Sequence, residues 1–100
     1  MTDILAPEDC TTMIEVRAGV DALDEQIVTL LGRRMRYMDA AARIKTTRGA
    51  VRDEARKAQV IDNAATVAAR VGVPPALVRA LYEQLVEGSI AYEFDKFDAR

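Results

Sequence analysis

Apolar side chains recur every three to four residues from Met13 onward. Taken in heptads, the recurring positions are Met13, Val16, Val20, Leu23, Ile27, Leu30, Arg34, Tyr37, Ala41 and Ile44. That period is the signature of an α-helix with one apolar stripe. Pro7, Glu8 and Asp9 read as its start, with proline in the first turn and acids at the positive helix end. Gly19 and Gly32 weaken the helix without ending it. Thr46, Thr47, Arg48 and Gly49 are turn-like, and Gly49 is the expected stop. A second helix is predicted over about 53–70, with Val60, Ile61, Ala64, Val67, Ala68 and Val71 among its apolar positions and Gly72 as its end. Pro74 and Pro75 open a third, with Leu77, Val78, Leu81, Tyr82, Leu85, Val86, Ile90 and Phe94 as its apolar positions. No alternating β-branched run, internal repeat or low-complexity segment is present. The fold class is therefore all-α: three helices, one of them very long, in a single domain over residues 1–100.

The length of the first helix carries its own consequence. About 36 residues at ~1.5 Å each make roughly 54 Å. A compact chain of this size has a radius of gyration of about 13 Å. The helix would project beyond a monomeric globule with its apolar stripe uncovered. A second copy is the simplest cover, so an intertwined, obligate homodimer is expected.

Arg34 breaks the stripe. It is the one permanently charged member among ten seam positions. Burying an unpaired charge is costly, so Arg34 needs an anion to face. Its i±3 and i±4 neighbours are Leu30, Leu31, Tyr37 and Met38, none of them acidic. The anion must come from elsewhere in the fold, from another chain or from a ligand. Lys45 follows on nearly the same face, about 16 Å further along the axis. Between them lie Met38, Ala41 and Ala42, which leave room for a small anion. Arg17 lies about 25 Å before Arg34, too far for a small ligand to span, but an antiparallel second copy would bring it near.

A further stripe runs through the third helix as Tyr82, Val86, Ser89, Glu93 and Phe97. Ser89 and Glu93 are its polar members. With no cation on this stripe, a buried Glu93 could sit protonated and donate a hydrogen bond. Arg52 and Arg56 lie one turn apart beside Asp53 and Glu54.

Each of these residues has a plainer reading. Arg34 could pair across chains to set register. Lys45 could be a solvated cation at a helix end, where cations are favoured. Arg17 could be a surface residue, Arg52 and Arg56 an exposed pair, and Ser89 and Glu93 could face solvent if the stripe is misphased. Met13, Met35 and Met38 read as packing.

The totals narrow the function classes. The net charge of −2 argues against general nucleic-acid binding. The absence of histidine removes the commonest general base and metal ligand. Cys10 is the single cysteine, so no internal disulfide or paired-cysteine metal site is possible. It reads as structural or incidental. No apolar run spans a membrane and MTDILAPEDC lacks the form of a signal peptide, so a cytoplasmic chain without metal or cofactor is expected.

The segment EVRAGVDALDEQIVTLLGRRMRYMDAAARIK, followed by VRDEAR and SIAYEF, resembles the all-helical chorismate mutases. The likeness covers about residues 7–97. The opening PEDC and the run LGRRM resemble the isochorismate-pyruvate lyase branch of that family. The resemblance implies that Arg34, Lys45 and Glu93 carry the catalysis, with Arg17, Asp53, Arg56 and Ser89 binding substrate. Arg17 of a second chain would take one carboxylate and Arg34 that of the enolpyruvyl side chain. Lys45 would contact that side chain and the breaking ether oxygen. Arg56 would close over the substrate, Asp53 lie near the ring hydroxyl, and Ser89 meet the ring carboxylate. Glu93 stands where many members have a glutamine, and it can donate to the ether oxygen only when protonated. Lys57 stands where the mutases usually have a glutamate for the ring hydroxyl; Asp53 or Glu54 would have to replace that contact. A lysine there also argues against a substrate bearing a ring amine.

The implied substrate is a small dianion, chorismate or isochorismate. Chorismate rearranges to prephenate without a nucleophile or an obligatory proton transfer. Cations and hydrogen-bond donors suffice, so a chain without histidine is no obstacle. Chorismate mutase activity in aromatic amino-acid or related metabolism is the first expectation, isochorismate-pyruvate lyase activity the second. A non-catalytic helical dimer with structural seam charges is the third.

Overall fold

The computed structural model describes residues 4–100. The first three residues of the leader reading, Met1 to Asp3, lie outside the described residues. Among the described residues there are three α-helices and no strand: α1 Met13–Ile44, α2 Glu54–Val71 and α3 Pro75–Asp98. Short 3-10 turns occupy Pro7–Asp9 and Arg48–Ala50. No helix is long and apolar enough to cross a membrane. The chain forms two compact units, Met1–Arg36 and Tyr37–Arg100.

In the first unit, the helix start differs from the sequence expectation. Pro7, Glu8 and Asp9 form a separate 3-10 turn, and Cys10 returns the backbone to an extended conformation. The Cys10 thiol is half-buried and donates to the Ala6 carbonyl at 3.6 Å. α1 begins at Met13 because a reciprocal cap forms there. Thr12 Oγ1 accepts from the Glu15 amide at 3.2 Å, and Glu15 Oε1 accepts from the amides of Thr11 and Thr12 at 3.0 and 2.9 Å. This arrangement satisfies amides that a helix N-terminus leaves without partners. These bonds, led by that from the Thr11 backbone, hold the Glu15 carboxyl below its ordinary value of 4.5. Beyond the cap, Met13, Val16, Val20, Leu23, Ile27 and Leu30 are all exposed. Ile14 and Val28 are exposed on other faces of the helix.

In the second unit, α2 and α3 form an antiparallel hairpin. Asp53 caps α2, its carboxylate accepting from the Arg56 amide at 3.0 Å. Gly72 ends α2 in the left-handed conformation, at φ 83°, as expected for a glycine stop. Pro75 then opens α3. Arg79 with Asp62 and Lys57 with Glu83 pair between the two helices, and Arg52, just before α2, continues the series with Glu87. Gly49 does not stop α1; that helix ends at Ile44, and Gly49 sits within a 3-10 turn without a positive φ.

The core of this unit is thin and built of small residues. Ala42, Val51, Ala65, Ala68 and Val86 are its buried apolar side chains, joined by Ser89 and Glu93. Alanines on facing helix surfaces let backbones approach closely but exclude little apolar area from water. Val67, Val71, Leu77 and Leu81 remain exposed around the α2–α3 turn.

Candidate active site

The third-helix stripe has the phase read from sequence. Val86, Ser89 and Glu93 are buried, and Tyr82 and Phe97 at its ends are half-buried. Glu93 is only 4% exposed. One premise needs correction. Glu93 does have a cation: Lys45 Nζ donates to its Oε2 at 2.7 Å. The pair was hidden in the sequence because the partners are 48 residues apart. Lys45 is not the solvated helix-end residue of the plainer reading. Its side chain is 29% exposed, and its amide extends α1 by bonding the Ala41 carbonyl at 2.9 Å. The pair therefore presents one ammonium at the edge of a buried stripe, with hydrogens not directed at Glu93 open to an incoming acceptor.

The Ser89 hydroxyl donates to the Leu85 carbonyl at 2.7 Å, one turn back on α3. A serine bound in this way is held in one rotamer. Beside it in chain order, Tyr92 donates to Asp39 Oδ1 at 2.7 Å. That hydrogen bond is the main cause of the raised phenol pKa, and it ties α3 to the final turns of α1. Lys96 reaches the same carboxylate at 3.8 Å and lies over the Tyr92 ring.

Asp53 and Arg56 are engaged locally on α2. Asp53 serves as the cap, and Arg56 Nη1 donates to Gln59 Oε1 at 2.7 Å. Both are exposed. Lys57 bonds Glu83 at 2.7 Å and reaches Glu87 at 3.5 Å. The Glu83 hydrogen bond is the first cause of its raised pKa. Lys57 is thus a neutralised member of the α2–α3 ladder. Arg52 is exposed, as in its plainer reading, and bridges Glu54 and Glu87. Arg17 and Arg34 belong to the first unit, where Arg17 is exposed and Arg34 is half-buried.

Three contacts around the end of α1 have no signal in the sequence. Arg48 forms a two-point pair with Asp98 at 2.9 and 3.2 Å and covers the Phe94 ring at 4.5 Å. Arg100 bonds the Ala42 and Lys45 carbonyls. Partners separated by 50 or more residues leave no periodic trace. Among the described residues, no group of three or more potential metal-ligating side chains could hold an ion.

The described residues are all-helical, with a part-buried lysine–glutamate pair where the end of α1 meets α3. The family model for chorismate mutase type II matches residues 16–94, and the chain belongs to that family. Among curated proteins, isochorismate pyruvate lyase of Pseudomonas aeruginosa is 36% identical over 85 residues, spanning 85% of this chain and 84% of that protein. The resemblance read from the sequence is therefore correct, and the protein is an enzyme of the chorismate mutase family.

Proposed function

We propose that this protein is a chorismate mutase that rearranges chorismate to prephenate. The observation that carries the reading is the buried Lys45–Glu93 pair, an ammonium held at 2.7 Å by a carboxylate that is itself shielded from water. In this rearrangement one ether C–O bond breaks as one C–C bond forms within the same molecule. Nothing leaves and no proton must move. Negative charge grows on the ether oxygen, and a preorganised donor there lowers the barrier. Lys45 is assigned that role. Glu93 aims the ammonium in the free enzyme and, when protonated, donates to the same oxygen. Arg34 and Arg17 are assigned to the two carboxylates, Ser89 to the ring carboxylate, Asp53 to the ring hydroxyl and Arg56 to closure over the substrate. These roles rest on the sequence match to the family. The exposed α1 stripe supports a homodimer, with Arg17 contributed across the interface. Aromatic amino-acid or related metabolism, in the cytoplasm, is the setting this activity suggests.

Isochorismate-pyruvate lyase activity is the second reading, favoured by the Pseudomonas aeruginosa relative and the PEDC opening. There the same ether bond breaks, but a ring hydrogen moves to the enolpyruvyl methylene, releasing salicylate and pyruvate. The same cationic groups serve either reaction. Product analysis with each compound supplied separately distinguishes them. Faster prephenate formation from chorismate supports the first reading; faster release of salicylate and pyruvate from isochorismate replaces it with the second.

A further inference from the structure

The last turn of any α-helix leaves carbonyl groups without helical partners. At the end of α1 two of these, on Ala42 and Lys45, accept from a single nitrogen, Nη1 of Arg100. The Arg100 guanidinium also lies over the Phe97 ring, 3.9 Å from its centroid. Phe97 is one turn beyond Glu93 on α3, and Glu93 holds the other end of Lys45. Lys45 is thereby gripped twice by the same end of the fold, at its main-chain carbonyl by Arg100 and at its ammonium by Glu93. Arg48, next along the chain, is held by Asp98 and Phe94 of the same stretch.

A lysine ammonium on a flexible four-carbon stem has no fixed position of its own. Its placement depends on where the main chain sits and on what holds the tip. The guanidinium at a helix C-terminus is also favoured by the helix dipole, and its bonds to the carbonyls are charge-assisted. We propose that Arg100 is a positioning residue for Lys45, fixing the end of α1 so that the ammonium meets the substrate's ether oxygen. This inference rests on the reading of Lys45 as a substrate-contacting cation. Arg100 itself touches no reacting atom.

The test compares Arg100→Ala and Arg100→Lys in the wild-type chain and in a Lys45→Ala background. Amide hydrogen exchange and the kinetics of chorismate and isochorismate turnover are both read. Arg100→Ala should speed exchange several-fold over residues 41–48 while residues 54–71 exchange as before. It should lower kcat by about tenfold or more with a smaller change in KM, since a displaced donor is lost mainly in the transition state. Arg100→Lys, which can still donate to both carbonyls, should recover most of both effects. In the Lys45→Ala background, Arg100→Ala should bring little further loss. Unchanged exchange over residues 41–48 would overturn the grip whether or not the enzyme turns over either compound. Equal kinetic losses in both backgrounds would show a structural contact only and would overturn the positioning role. A wild-type chain that exchanges as expected but consumes neither compound would refute the proposed function, and the catalytic meaning of the grip with it.

Discussion

Replacing Lys45 with methionine isolates the electrostatic part of the Lys45–Glu93 pair. Methionine keeps most of the apolar stem, so little packing is lost. What remains is a carboxylate 4% exposed to water and deprived of its cation. Removing one partner of a fully buried pair typically destabilises by about 3–5 kcal/mol. Lys45 is 29% exposed at its side chain, so water already screens one side of this pair. The expected loss is therefore lower, about 2–3 kcal/mol near neutral pH. Glu93→Gln should cost only about 1 kcal/mol, since the amide oxygen still accepts from Lys45. The double change Lys45→Met with Glu93→Leu should recover most of the loss, as hydrophobic replacement of a buried pair usually does. Urea unfolding at one fixed protein concentration is the assay, because association adds to apparent stability. A Lys45→Met chain within about 0.5 kcal/mol of wild type would refute the reasoning, being no more than an ordinary surface substitution. A double variant no more stable than Lys45→Met would refute it equally.

Other consequences follow from residues at a distance from this pair. Ile27 is 53% exposed in the single chain, so Ile27→Asp should leave the helices intact but place a charge from each copy in the proposed seam. Sedimentation should show dimer association weakened by about a thousandfold or more, equivalent to roughly 4 kcal/mol, and an unaltered dimer would remove α1 from the interface. Gly72→Ala meets open space but forces a left-handed φ, so a loss of about 1 kcal/mol in urea unfolding is expected, with no loss arguing against strain at that turn. Arg52 holds Glu87 below its ordinary 4.5, and Arg48 holds Asp98 below 3.8, chiefly through side-chain hydrogen bonds. Depressed carboxyls stabilise fully above their unfolded values and lose that contribution as pH falls through the lowered folded ones. Thermal unfolding should accordingly decline below about pH 4.5, and Arg52→Gln with Arg48→Gln should flatten that decline; an unchanged acid slope would dismiss both pairs as contributors.

The helices were legible because their signals are local. Gly72 stops α2 at a position only glycine occupies cheaply, and Pro75 opens α3 where a missing amide does no harm. The start of α1 was misplaced because two start signals compete within a few residues. Proline and acids at Pro7–Asp9 form a separate turn, and the Thr12–Glu15 cap takes the helix. Burial of Ser89 and Glu93 could be read from the phase of the stripe through Val86. Their partners could not be read, since Lys45 approaches Glu93 only after the chain has folded back on itself. Lys57 is the instructive case. As a family position it stands where a glutamate is usual. In the structure its charge is met by Glu83 and Glu87, residues whose spacing on α3 says nothing about a lysine on α2.

The cations of α1 are assigned to a dianionic substrate and not merely to the register of a helical dimer. Arg34→Ala decides between these most directly, measured at once for mass in solution, thermal unfolding and turnover of chorismate and isochorismate. An unchanged dimer is expected, with a melting temperature near that of wild type and turnover lowered by about a hundredfold or more, the scale of losing a preorganised charge contact. Loss of the dimer or of the folded state, or turnover equal to wild type, would contradict that assignment.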